Sequence, residues 1–329
     1  MGQAKISIIT TSYTKDRLND IIEMLDSIQA QTYHNIETVF VAERSPELAD
    51  SIRRYMAEKG YSNMQVLYND GEWGISSARN LAIGQVKGDV IAFVDDDALL
   101  FPDWAEETVK TYAEDSSVIG VTGPILPLWE QESMSWFPQE LYWIFSCTYW
   151  DMAEKTEVRN GYGTNISFRR EAFDSGELFR TSLGVKGRGE SGWLEPGAEE
   201  AELSLRIRRK TGKRIIYNPQ VRVKHKVYRY RLRAMFIAKR AYWEGHAKAM
   251  LKRWYHSAEG KTVLSTEHEL LHRILFKLLP QMLGRLFHQP LIALRQLWLV
   301  TMVLSCVASG YFGYQFSSLF RRRQPYYTK

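Results

Sequence analysis

Cysteine is scarce in these 329 residues: only Cys147 and Cys306 are present. Two thiols so far apart give neither a disulfide framework nor the paired spacing of a zinc site, and a reducing compartment is the natural expectation. No glycine-rich phosphate loop follows the first strand-like run, where Thr10-Thr-Ser-Tyr-Thr14 stands instead of G-x-G-x-x-G or G-x-x-x-x-G-K. That argues against dehydrogenase and P-loop chemistry. The N-terminal residues run into a strand-like segment without an apolar signal-peptide region, so the cytosol is the expected side. Position six is Ile6, and the myristoylation pattern fails. No internal repeat or low-complexity tract is evident.

What is present reads as a globular protein. The apolar fraction is 45% and the charged fraction 25%, and ten Trp with eighteen Tyr argue against disorder. A formal charge of +5 and a pI near 9.0 permit an anionic partner, whether nucleotide, nucleic acid or lipid headgroup, without choosing among them. Apolar residues predict strands over residues 5–10, 36–42, 64–68 and 90–94, with helices over 18–30, 46–59 and 75–85 between them. This alternation predicts a parallel sheet with helices on both faces. Beyond it come a helix at 102–114, a strand at 118–125, a turn into a strand at 161–170, a helix at 199–210 and strands at 214–218 and 221–226. Residues 128–150 are rich in aromatics without a clean period, which suits either a core-packing insert or a site wall. Residues 184–197 hold five glycines with Arg188, Glu190 and Trp193, a composition suited to a mobile loop over a site.

The densest chemistry follows residues 90–94, an apolar run suited to a strand buried on both faces, which leads directly to Asp95, Asp96 and Asp97. Three carboxylates cannot lie in a dry core without a cation or strong donors. They are expected at the strand's carboxyl end, in the crevice where open α/β sheets bind ligands. Strand side chains alternate, so Asp95 and Asp97 would share a face and converge on one hard cation. The plain alternative is a solvated acidic turn. Other strand ends carry Thr10, Ser12 and Glu43. Arg79, in Gly74-Ile-Ser-Ser-Ala-Arg-Asn80, suits a diphosphate or a base edge because a guanidinium donates as a planar fork, or else it is a helix-surface Arg. Gly197-Ala-Glu-Glu-Ala-Glu-Leu203 opens a helix with three carboxylates, which either complement the dipole or supply a general base. His225, between Lys224 and Lys226, is either structural or a metal ligand.

In this order the chain resembles family 2 glycosyltransferases of the GT-A fold across residues 5–230. The matching stretches are Ile8-Ile-Thr-Thr-Ser-Tyr13, Gly74 to Asn80, Phe93-Val-Asp-Asp-Asp97, Gly163-Thr-Asn-Ile-Ser-Phe-Arg169, Gly197 to Leu203 and Val223-Lys-His225. Through Arg240-Ala-Tyr-Trp-Glu-Gly-His-Ala-Lys248 it looks closest to archaeal-type enzymes that extend polyprenyl- or dolichyl-phosphate-linked sugars. The resemblance implies a nucleotide-sugar donor, by family frequency a UDP-sugar, with Mg²⁺ or Mn²⁺ on its diphosphate. Carried over by position, Thr10, Ser12 and Glu43 hold the nucleoside and Arg79 the base or phosphates. Asp95 meets the ribose with Asp96 beside it, and Asp97 and His225 hold the metal. Glu200, next to Glu199, takes the acceptor's proton, and attack from the opposite face inverts the anomeric centre. Arg240 is carried over to the acceptor side.

Two departures stand out. Ala42 occupies a position where the family usually has a carboxylate, which shifts the nucleoside role to Glu43. The family's Glu-Asp pair is Glu-Glu here, which keeps Glu199 and Glu202 open as the base beside Glu200. No Gln-x-x-Arg-Trp signature is found, which favours a single transfer per encounter.

The expected fold is thus α/β, a GT-A mixed and mostly parallel sheet flanked by helices, with a C-terminal amphipathic, membrane-associated helical region. Residues 1–228 form the expected catalytic domain, 229–265 a basic aromatic extension on the acceptor and membrane side, and 266–329 an amphipathic helix with a membrane-inserted segment. Residues 267–287 suit a membrane surface. Residues 296–320 carry no charge, end at Arg321-Arg-Arg323, and can cross or dip into a bilayer unless they form a buried helix. The expected partners are a nucleotide-sugar donor, a lipid-linked acceptor, the cell membrane with the catalytic domain on its cytoplasmic face, and other glycan-assembly enzymes, but not nucleic acid. The competing classes are a non-catalytic sugar-nucleotide binder, an enzyme with a polysaccharide or protein acceptor, and a nucleic-acid-binding protein using residues 224–255.

Overall fold

The computed structural model describes residues 4–148, 152–174, 176–186, 197–255 and 263–320. The glycine-rich loop is therefore described only at its two ends, and Arg188, Glu190, Trp193, Trp150 and the Arg321-Arg-Arg323 run lie outside the described residues.

In the first part of the chain the elements follow the apolar pattern. They are β1 (Ile6–Ser12), α1 (Leu18–Gln29), β2 (Ile36–Glu43), α2 (Pro46–Lys59), β3 (Met64–Asn69), α3 (Ile75–Ile83) and β4 (Val90–Phe93). Then come β5 (Ala98–Leu100), α4 (Trp104–Glu114), β6 (Val118–Thr122), β7 (Ile125–Trp129), β8 (Thr156–Val158), β9 (Ile166–Arg169) and α5 (Glu171–Asp174). After these lie α6 (Glu199–Thr211), β10 (Arg214–Tyr217), β11 (Val223–Val227), α7 (Ala234–Trp254), α8 (Ser265–Arg273), α9 (Leu279–Arg285) and α10 (Pro290–Phe320).

Eight strands form one sheet in the order β3-β2-β1-β4-β9-β6-β10-β8. The β3-β2-β1-β4 half is parallel, as expected. β9 runs antiparallel between β4 and β6, β10 is parallel to β6, and β8 closes the edge antiparallel. A second sheet, β5-β11-β7, includes β5 and β7, strands of three and five residues that carry too little periodicity to separate from loop in the sequence. Strands buried on both faces require apolar side chains throughout, and β4 reads Val-Ile-Ala-Phe, all buried. Ile9, Val39, Val41, Ile91 and Phe93 meet Ala78 and Ala82 of α3 and Leu203 and Ile207 of α6 in one core cluster.

The chain divides into two compact units. The first comprises residues 1–128, 146–191 and 199–226 and holds the large sheet; the second comprises 129–145, 192–198 and 227–329. In the second unit, Met134, Phe137, Leu141, Trp143 and Phe145 are buried, so this stretch of the aromatic segment is core packing. Its α7 and α10 lie backbone to backbone: a Cβ on Gly245 would be 1.9 Å from the Val307 carbonyl oxygen, and one on Gly310 would be 1.8 Å from that of Tyr242. α8 and α9 are joined through a π-helical turn, Ile274–Leu278. Among the described residues one helix, α10, is long and apolar enough to cross a membrane by length and composition.

Candidate active site

β4 ends at Phe93, and the acidic trio lies in the turn that follows, where the Ala98 N–H donates to the Asp95 carbonyl at 3.2 Å. Strand alternation is therefore not what separates the three side chains; the turn does it. Asp96 swings to the Arg17 guanidinium at 2.9 Å, while Asp95 and Asp97 converge with His225. Oxygen and nitrogen ligand atoms of Asp95, Asp97 and His225 all lie within 4.8 Å of one another.

His225 arrives through the small sheet. β11 pairs antiparallel with β5 so that His225 opposes Ala98, and the Lys226 N–H donates to the Asp97 carbonyl at 3.0 Å. This register sets His225 Nε2 2.8 Å from Asp97 Oδ1, with Asp97 1% and His225 2% exposed. On the other side of the ring, Cys147 Sγ is 3.9 Å from Nδ1. Two carboxylates and an imidazole that converge, Asp97 and His225 buried and Asp95 partly exposed, fit a divalent cation.

A second cluster adjoins the first through Asp95. Arg79 of α3 donates to Asp95 Oδ1 at 3.2 Å and to Glu200 Oε1 at 2.7 Å, and Glu199 stands 3.9 Å away. Thr164 donates to the other Asp95 oxygen at 2.5 Å. Burial opposes the Arg79 charge, but Glu200, Asp95 and Glu199 together raise its pKa above the ordinary guanidinium value. Burial pushes the Asp96 carboxyl up to about 6 against the pull of Arg17, and neighbouring Asp97 adds to the rise. Glu43 at the end of β2 is also raised by burial, despite accepting the Gly74 N–H and lying near Arg44. Thr10 and Ser12 are buried at the end of β1, with no hydrogen-bond partner for the Thr10 hydroxyl among the described residues and Ser12 beside Asp96.

The family model described as "Glycosyl transferase family 2" matches residues 7–176, more than half of the chain. The chain is a family 2 glycosyltransferase. The glucosyl-dolichyl phosphate glucuronosyltransferase of Haloferax volcanii is 36% identical over 256 residues, which cover 77% of this chain and 79% of that one. Two solved structures share the GT-A fold. The mannosyltransferase PcManGT from Pyrobaculum calidifontis, in complex with GDP-Man and Mn²⁺, superposes with a TM-score of 0.63 at 18% identity, covering 96% of this chain and 88% of that one. GalNAc-T7 with UDP, GalNAc and Mn²⁺ gives a TM-score of 0.54 at 15% identity over 82% of this chain and 54% of that one.

Within this family 2 glycosyltransferase, Asp95, Asp97, His225, Arg79, Glu199 and Glu200 form one connected group, joined to Asp96 through Arg17, which also reaches Asp97 at 3.5 Å. Arg240 is on α7 of the second unit, where its charge acts on Glu244 one turn along. Glu202 leaves the set of base candidates. It is fully buried and held by Arg180 at 2.6 Å and Arg206 at 2.8 Å, because a two-residue step from Glu200 along α6 turns its side chain to another face of the helix and into an ion-pair network. Arg17, Thr164, Gly163 and Cys147 also border this group, beyond the candidate site residues that the sequence offers. Gly163 and Thr164 sit in a recognised stretch, which was a usable signal; Arg17 and Cys147 offered none.

Proposed function

We propose that the protein transfers a sugar, with inversion, from a UDP-sugar to a dolichyl- or polyprenyl-phosphate-linked glycan at the cytoplasmic face of the membrane. The observation that carries this is the Asp95–Asp97–His225 cation group joined through Arg79 to Glu200, in a chain similar to a dolichyl phosphate glucuronosyltransferase. Asp97, His225 and Asp95 would hold the cation, and the imidazole nitrogen favours Mn²⁺ over the harder Mg²⁺. When bound, such a cation stabilises charge developing on a leaving nucleoside diphosphate. Thr10, Ser12 and Glu43, at the ends of β1 and β2, would line the nucleoside side. Glu200 is partly exposed and accepts no hydrogen bond among the described residues except from Arg79, so its carboxylate has capacity to take a proton from an acceptor hydroxyl. Glu199, which is nearly closed off, is the supporting carboxylate. The exposed apolar and basic residues of α8 to α10 would rest at the lipid surface that carries the acceptor.

The test is a panel of radiolabelled UDP- and GDP-sugars, UDP-glucuronate first, incubated with membranes containing the protein, with lipid-extractable label as readout. Label should enter the lipid phase from one UDP-sugar. EDTA should abolish it and Mn²⁺ restore it, and Asp97→Ala and Glu200→Gln should each lower it at least about 100-fold. Label confined to polysaccharide or protein would overturn the acceptor assignment. Full transfer by both variants would overturn the mechanism.

A further inference from the structure

The family resemblance implies a donor contact for Arg79, yet in this structure its guanidinium is already paired with Glu200 and Asp95. Ser76 of the same helix donates to the Leu183 carbonyl at 2.7 Å. Asn80 exchanges a pair of hydrogen bonds with the backbone of Phe179, donating at 2.8 Å and accepting at 2.9 Å. These bonds pin α3 to residues 179–183 and fix the root of the Arg79 side chain. The guanidinium then lies 3% exposed, 5.7 Å from the Phe93 ring and 5.3 Å from the Phe179 ring, and its nitrogens reach Glu200 and Asp95. Asp95 is held from its other oxygen by Thr164. Gly163 leaves the passage open: a Cβ there would lie 2.0 Å from Glu200 Oε1 and 2.3 Å from Arg79 Nη2.

We propose that Arg79 is a positioning residue, a buried strut that fixes the Glu200 carboxylate relative to Asp95, with Gly163 as the gap it spans, and that it does not touch the donor. The proposal rests on Glu200 as the base. Inversion requires the base and the leaving group on opposite sides of the anomeric carbon, so the spacing between the carboxylate on the cation side and the carboxylate on the acceptor side matters directly. A guanidinium suits this task because its planar fork serves two carboxylates at once and stays charged. An ammonium at the same place holds one and releases the other. The guanidinium also offsets the mutual repulsion of Asp95, Glu199 and Glu200.

The experiment uses the full chain in detergent with the variants Arg79→Lys, Gly163→Ala and Glu200→Gln. UDP affinity is measured by calorimetry in the presence of Mn²⁺, and kcat and donor KM with the nucleotide sugar that labels lipid in the panel above. Arg79→Lys and Gly163→Ala should each lower kcat about 100-fold while UDP Kd and donor KM stay within about threefold. Gly163→Ala removes no polar group, so it reports on the geometry even where the buried Arg79 substitution unfolds the protein. UDP binding weakened about tenfold or more in Arg79→Lys, with kcat unchanged, overturns the proposal and makes Arg79 a donor contact. An inactive Glu200→Gln beside a fully active Gly163→Ala overturns the strut alone. A fully active Glu200→Gln removes the base assignment on which the strut depends.

Discussion

At Glu43 two demands on one carboxylate conflict. The side chain is buried at the end of β2, where it accepts the Gly74 N–H, and burial raises its pKa above the usual carboxylate value. A folded-state pKa above the unfolded one means that ionisation disfavours the fold. The penalty is absent below the unfolded value and grows as pH rises through the folded value. Glu43→Gln keeps an acceptor for Gly74 and removes the charge. The variant should melt about 2 °C higher than the parent at neutral pH and show no gain at pH 4, checked by scanning calorimetry at both pH values. If the carboxylate holds the nucleoside, the same variant should bind UDP more weakly. A variant that melts lower at neutral pH would refute the charge-burial account.

Helix packing gives an equally direct test at the next scale. α7 and α10 approach so closely that Gly245 and Gly310 have no room for a methyl group, since each faces backbone of the other helix. Backbone cannot rotate away as a side chain can, so Gly245→Ala must push the helices apart. It should destabilise the protein by about 1–3 kcal/mol in urea titration. Gly284 in α9 has nothing within 4 Å of an added Cβ. There Gly284→Ala should be neutral or stabilise by up to about 1 kcal/mol, because only helix propensity changes. Equal effects at the two sites would show that close helix approach is not what Gly245 provides. The Arg240 to Lys248 stretch owes part of its pattern to this packing, with Gly245 at the crossing and Glu244 paired to Lys248 at 2.9 Å.

For the whole molecule the two units differ in composition. The cation group and its carboxylates lie in the first unit, and the exposed apolar helices in the second. Phe276 is 66% and Phe287 86% exposed, in a segment that also carries Arg273, Lys277 and Arg285. Exposed aromatics beside basic residues are what a lipid surface takes up. The double variant Phe276→Ser with Phe287→Ser should lower sedimentation with anionic vesicles about tenfold or more, since each buried Phe contributes about 1.5–3 kcal/mol. Its affinity for UDP should match the parent's. Unchanged vesicle binding would remove these helices from the membrane contact.

The alternation of apolar runs determined the parallel half of the sheet, because β4, buried on both faces, is apolar throughout and β1 and β2 are apolar over most of their buried length. The sequence likewise placed three carboxylates just past β4, and made α10 uncharged along residues 296–320. Only the tertiary structure decided how these parts meet. Arg79 reaches Glu200 from 121 positions away, and Arg17 reaches Asp97 from 80. His225 stands beside Asp97 because a three-residue strand, β5, pairs with β11 in one register. Periodicity records which face a residue turns inward, and nothing in it records which distant residue will stand opposite. That is set by strand order and register, which depend on the packing of the whole chain.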